Sequence, residues 1–221
     1  MPLLLIDLDN TLVDREACFA RWAEAFVAEH ELAHAVPWLV EHDAGGYTPR
    51  HLFFERVRAH FGVAHSVKEL VEAYREAYPR MMQPPAPQAV AVLEQLRDAG
   101  WKIAVVTNGD ASQAVKLEAA ALTELVDACC ISEVEGVAKP HPEIFRRAAA
   151  RCDSALDGAW MVGDNPEADI AGAVALGLKT VWIDHGRTWA EKDYAPTAIA
   201  GDLTEALRLV SSGGRARRGA A

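Results

Sequence analysis

The stretch Leu3-Leu4-Leu5-Ile6-Asp7-Leu8-Asp9-Asn10-Thr11-Leu12 opens with four apolar residues and then sets two acids two positions apart. The apolar run predicts a short buried strand. Side chains at i and i+2 leave a strand on the same side, so Asp7 and Asp9 can face one site. Two like charges at the end of an apolar strand are costly unless a cation or a proton relieves them. A bare Asp-x-Asp is also how a polar strand exit reads, so its meaning depends on the rest of the chain.

Three further clusters follow. A predicted strand Trp101–Val106 runs into Thr107-Asn108-Gly109-Asp110. Lys139 lies in Gly136-Val137-Ala138-Lys139-Pro140, just before a predicted helix. A strand at Trp160–Val162 runs into Gly163-Asp164-Asn165-Pro166-Glu167-Ala168-Asp169. Polar clusters at the C-terminal ends of strands are where an open α/β sheet places its ligand site. Singly, these clusters also fit a turn, a solvated lysine and an N-capped loop. Their joint occurrence in this order is improbable as coincidence.

Between Asp14 and Gln83 no strand pattern is found. Phe19, Trp22, Ala23, Phe26 and Val27 recur at helical spacing. A second helix is expected with Thr48 as N-cap and Pro49 at its first position, carrying Leu52, Phe53, Val57 and Phe61 inward. A third opens on the capping box Ser66-Val67-Lys68-Glu69. From Gln88 onward helices and strands alternate, the pattern of a parallel sheet with helices on both faces. The expected fold is α/β. A Rossmann-like core spans residues 1–13 and 85–210, an all-helical insert spans 14–84, and a flexible tail spans 211–221.

Composition sets bounds on partners. The chain has 221 residues, 51% of them hydrophobic, enough for a sizeable core. Its net charge of −10 argues against nucleic acid and against an anionic membrane surface. No apolar run reaches membrane-spanning length, and no basic segment before Leu3 suggests a signal peptide. Cys18, Cys129, Cys130 and Cys152 lack metal-ligand spacing and read as reduced cysteines of a cytoplasmic protein.

The motifs Asp7-x-Asp9-x-Thr11, Thr107, Lys139 and Gly163-Asp164-x-x-x-x-Asp169, in this order, resemble those of the haloacid dehalogenase-like hydrolases, a superfamily made mostly of magnesium-dependent phosphatases. The resemblance covers about residues 3–210, and no motif position departs from the phosphatase pattern. It implies that the insert is a helical cap over the active site. It also implies a small phosphorylated metabolite as substrate and Mg2+ as cofactor. By resemblance Asp7 is the nucleophile, forming an aspartyl-phosphate. Asp7, Asp164 and a backbone carbonyl at Asp9 hold the metal, with Asp169 behind them. Asp9 serves as acid and base. Thr107 and the N–H groups of Asn108 and Gly109 hold the phosphoryl oxygens, and Lys139 neutralises charge. Four acids against one lysine make sense only with a divalent cation. Trp22, Tyr47 and Arg50 are candidates for substrate selection, and His185-Gly186-Arg187 reads as a solvated loop. Competing readings are a haloacid dehalogenase, which needs neither metal nor the second acid, a phosphomutase, and a non-catalytic phosphate-binding module.

Overall fold

The computed structural model describes residues 1–213, and they divide into two compact units, Met1–Val13 with the chain from Pro84 onward, and Asp14–Gln83. The expected tail at 211–221 lies outside the described residues from 214 on, while Ser211 still belongs to the last helix. No described helix is long and apolar enough to cross a membrane.

The first strand, β1 (Leu3–Ile6), is buried along its whole length. The chain then enters the helical unit: α1 (Arg15–Glu29), α2 (Val36–Asp43), α3 (Arg50–Phe61) and α4 (Val67–Ala77). Asp14 caps α1 by accepting from the Ala17 N–H at 2.8 Å. The capping box at the start of α4 is reciprocal: Ser66 accepts from the Glu69 N–H, and Glu69 accepts from the Ser66 N–H. Helix α2 is not among the helices that the sequence predicts. Helix α3 starts at Arg50, with Pro49 rather than Thr48 in the cap position and no side-chain cap. Its buried face is Phe53, Phe54 and Val57, whereas Leu52 is exposed, so the apolar stripe is rotated from the one expected.

This unit is held by aromatic packing. Trp22 lies edge-on to Tyr74 at 4.8 Å and stacked on Phe26 at 5.0 Å, with Phe19, Phe53 and Phe54 completing the cluster. Beside it sits a buried ion triad. Asp43 receives Arg15 Nη2 at 2.8 Å and Arg50 Nη2 at 2.6 Å.

After the helical unit come α5 (Pro87–Asp98), β2 (Lys102–Thr107), α6 (Ser112–Ala119), β3 (Ala128–Ile131), the single turn α7 (Ser132–Glu135), α8 (Pro142–Arg151) and β4 (Trp160–Gly163). A π-helical segment, Pro166–Ala171, runs into α9 (Gly172–Val174), followed by β5 (Lys179–Ile183), β6 (Ala198–Ala200) and α10 (Leu203–Ser211). The six strands are all parallel in the order β3-β2-β1-β4-β5-β6, with helices on both faces. Leu3, Leu5, Ala104, Val106 and Met161 pack in one cluster with Ile144, Phe145 and Ala148 of α8. Strand order reverses between β1 and β4, and in such sheets the crevice at the carboxyl ends of the reversing strands is the ligand site.

Candidate active site

Sheet register brings the sequence clusters together. Ile6 pairs with Val105 on one side and Val162 on the other, so Asp7 aligns with Val106 and Gly163, and Thr107 and Asp164 follow one residue further along the neighbouring strands. The Asp7 N–H donates to Val162 O at 2.9 Å, which fixes the start of the loop. Beyond Asp7 the chain turns tightly. The Leu12 and Val13 N–H groups both donate to Leu8 O, with Asn10 left-handed at φ 58°.

At the centre is the buried ammonium of Lys139, 2.5 Å from Asp7 Oδ1 and 2.7 Å from Asp169 Oδ1. The Asn108 side chain positions this lysine. Its Oδ1 accepts from the Lys139 N–H at 2.8 Å, and its Nδ2 donates to Lys139 O at 3.0 Å. Burial alone would lower the Lys139 pKa; the charges of Asp169 and Asp7 outweigh it and hold the ammonium above its ordinary value. The acids are shifted the other way. Burial pushes Asp7 up to about 7 against the pull of Lys139, with the charges of Asp169 and Asp9 adding to the rise. Burial and the nearby Asp7 charge push Asp164 up to about 6 despite Arg187, and burial likewise raises Asp169.

Asp7, Asp164 and Asp169 each offer an oxygen within 4.8 Å of the others, a hard, oxygen-only donor set of the kind that suits magnesium. Their roles differ. Asp169 already accepts from Lys139 Nζ on Oδ1 and from the Asn165 N–H on Oδ2 at 3.0 Å, so it orients its neighbours. A Cβ on Gly163 would overlap the Asp169 carboxylate, so only glycine lets this acid close against the end of β4. The Asp164 main chain is held by its carbonyl, which accepts from Trp182 Nε1 at 2.8 Å and Arg187 Nη2 at 2.7 Å. Asp7 and Asp164 thus retain ligand capacity toward a cation, and the residues present fit one.

Asp9 turns to a different partner. Lys116 Nζ lies 2.8 Å from Asp9 Oδ1 and 2.6 Å from Oδ2, and Gln113 Nε2 lies 3.1 Å from Oδ2. Gln113 also donates to Thr107 Oγ1 at 2.6 Å. The Gly109 N–H, expected to hold phosphate, donates here to Ser132 Oγ at 3.0 Å.

The site therefore contains residues that the sequence motifs did not announce. Lys116 and Gln113 are spaced i, i+3 on α6, which puts them on one helical face toward Asp9. The loop after β5 is not merely solvated. Arg187 binds Asp164 and Ile183 O, and His185 lies with Nε2 2.6 Å from Asn10 O. The expected balance of four acids against one lysine is corrected accordingly: Lys116 and Arg187 add positive charge, and the deficit concentrates on Asp7, Asp164 and Asp169.

In the helical unit, Trp22 is packed inside the aromatic cluster and Arg50 is committed to Asp43 and to Thr48 O at 2.9 Å. Tyr47, after the turn Ala44–Gly46, is 77% exposed. Cys18, Cys129, Cys130 and Cys152 are in no disulfide; burial pushes Cys129 and Cys152 up to about 11, away from reactive thiolates.

A family model for haloacid dehalogenase-like hydrolase matches residues 1–177. Among curated proteins, a phosphoserine phosphatase of Thermus thermophilus is 32% identical over 93% of this chain and 97% of its own length. A ribulose-1,5-bisphosphate 5-phosphatase of Halopiger xanaduensis is 38% identical, covering 82% of this chain and 84% of its own. Among solved structures, the HAD-hydrolase YfnB of Bacillus subtilis, crystallised with magnesium, superposes with a TM-score of 0.79 at 20% identity over 97% of this chain and 99% of that one. At that identity the match speaks for the fold.

Proposed function

The chain belongs to the haloacid dehalogenase-like hydrolases, and on that premise we propose that it is a magnesium-dependent phosphomonoesterase acting on a small phosphorylated metabolite. The observation that carries this reading is the three-acid cluster Asp7, Asp164 and Asp169, closed on one side by Lys139. Asp7 and Asp164, with the main-chain carbonyl of Asp9, would hold magnesium, whose charge when bound offsets that of the phosphoryl group.

In the first step an Asp7 carboxylate oxygen attacks phosphorus, and the bond from phosphorus to the leaving oxygen breaks. Asp9, carrying a proton in the substrate complex, gives it to that oxygen. In the second step a water attacks the aspartyl-phosphate and gives its proton to Asp9. The bond from phosphorus to Asp7 breaks, freeing inorganic phosphate. Lys139 and the Thr107 hydroxyl stabilise charge on the transferring group.

Hydrolysis of p-nitrophenyl phosphate with magnesium tests the reading. Turnover that stops in excess chelator is expected; unchanged turnover would overturn the metal requirement. The dehalogenase alternative has its own measurement, chloride release from 2-chloropropionate without metal. Asp9, Asp164 and Asp169 favour none being seen.

A further inference from the structure

We propose that Lys116 and Gln113 are positioning residues, acting through Asp9 and Thr107 to fix the direction of the phosphate-binding hydroxyl. The inference rests on the phosphatase reading and extends it to α6.

The chain of contacts has only one consistent polarity. Lys116 straddles both Asp9 oxygens, an ion pair in which the acid is a carboxylate. A carboxylate only accepts hydrogen bonds, so the Gln113 amide must present its NH2 end to Asp9 Oδ2. The same NH2 reaches Thr107 Oγ1 at 2.6 Å, so Thr107 accepts from Gln113. Its own proton must then be donated elsewhere, and a phosphoryl oxygen is the acceptor the site exists to bind. The order Lys116, Asp9, Gln113, Thr107 thus sets a hydroxyl as donor before substrate arrives.

The residues are placed for this by packing. Gln113 is 3% exposed and Lys116 5% exposed, unusual for such polar side chains without a structural task. Gln113 lies directly on Gly109, where an added Cβ would come within 2.9 Å of its Cγ. The glycine of the Thr-Asn-Gly motif therefore makes room for the glutamine.

The test is a double-mutant cycle read by inorganic phosphate binding with magnesium present, and by kcat/KM for p-nitrophenyl phosphate. Gln113→Met keeps the bulk and removes the donor. It should weaken phosphate binding by up to about tenfold, the factor of one net hydrogen bond. In a Thr107→Val background the same change should cost nothing further. Gln113→Glu, which can only accept from Thr107 and repels Asp9, should cost about 10², the scale of a misplaced catalytic group. The Lys116→Met crystal structure should show the Asp9 carboxylate leaving Gln113. The proposal is overturned if Gln113→Met costs as much with Val at 107 as with Thr, or if Asp9 keeps its place without Lys116. A native protein that binds phosphate with this dependence but turns over no phosphate ester would sink the phosphatase reading alone.

Discussion

Asp7 meets Lys139 in a buried ion pair, Oδ1 to Nζ at 2.5 Å. The pair makes the proposed nucleophile and the charge-neutralising cation a single electrostatic unit, with Asp169 as the lysine's second anchor. Asp7→Asn removes both the attacking oxygen and half of this unit. Hydrolysis of p-nitrophenyl phosphate should fall to background; a variant retaining more than a few per cent of native turnover would show that Asp7 is not the nucleophile.

Lys139→Met leaves the acids in place without their cation. Transition-state charge then lacks a fixed partner, and the rate should drop by about 10²–10³. The loss should be similar for every phosphate ester, because the lysine meets the group common to all of them. A variant that reorders substrate preference would place Lys139 against the leaving portion instead.

The raised acids give the metal-free protein a definite pH response. A carboxyl whose folded pKa lies above its unfolded value binds its proton more tightly when folded. Below the ordinary value near 3.8 there is no penalty; as pH rises toward about 6 for Asp164 and about 7 for Asp7, the unfolded chain ionises first and this site's contribution to stability falls. Magnesium should reverse the trend, because it replaces the protons and binds only the folded site. Thermal melts at pH 5 and pH 8, with magnesium and with chelator, should show a larger stabilisation by metal at pH 8. Equal stabilisation at both would contradict the assignment.

The helical unit has its own buried charge. Asp43 is 2% exposed and carries both Arg15 and Arg50. Asp43→Ala strands two guanidiniums, a loss of about 3–5 kcal/mol by the cost of breaking buried ion pairs. Denaturant melts should show it as a lowered midpoint, and as an early separate transition if the helical unit unfolds on its own. A shift under 1 kcal/mol would mean that the arginines find water.

Substrate selection is proposed for the helical unit, where Trp22, Tyr47 and Arg50 are the candidates. Trp22 and Arg50 have structural occupations, which leaves Tyr47 as the exposed candidate. Groups that meet the leaving portion alter relative kcat/KM, whereas uniform phosphate contacts do not. Tyr47→Ala should therefore change the ratio of kcat/KM between two phosphate esters of different size while the magnesium requirement stays intact. A ratio unchanged within error would remove Tyr47 from that role.

What the sequence disclosed and what it hid follow from locality. Asp7, Thr107 and Asp164 were legible because each stands at the end of an apolar strand, and parallel strands share one end; Lys139, in the loop between α7 and α8, was legible only through its place in the order of the motifs. Lys116 and Gln113 were hidden because a lysine and a glutamine at i, i+3 look like a solvated helical face; only the tertiary position of α6 turns that face inward. Arg187 was hidden because nothing in His185-Gly186-Arg187 tells that the loop folds back on the Asp164 carbonyl. Helix α2 is short and starts at Val36, with Ala35 in the cap position and no side-chain cap, so neither boundary nor periodicity marked it. Helix α4 was plain because its capping box is a local signal.

One consequence concerns how the central strand finds its place. All four residues of β1 are buried, and three are leucines in succession. Strand registers are ordinarily chosen by which face is apolar, since a one-residue slip exchanges the two faces. Here a slip replaces leucine with leucine, so packing offers little discrimination. The mark that distinguishes native alignment is the first polar residue: Asp7, whose N–H closes on Val162 O and whose carboxylate reaches Lys139. The proposed nucleophile thus also serves as the alignment peg of the sheet, and an apolar residue in its place would blur where the strand ends as well as silence the chemistry.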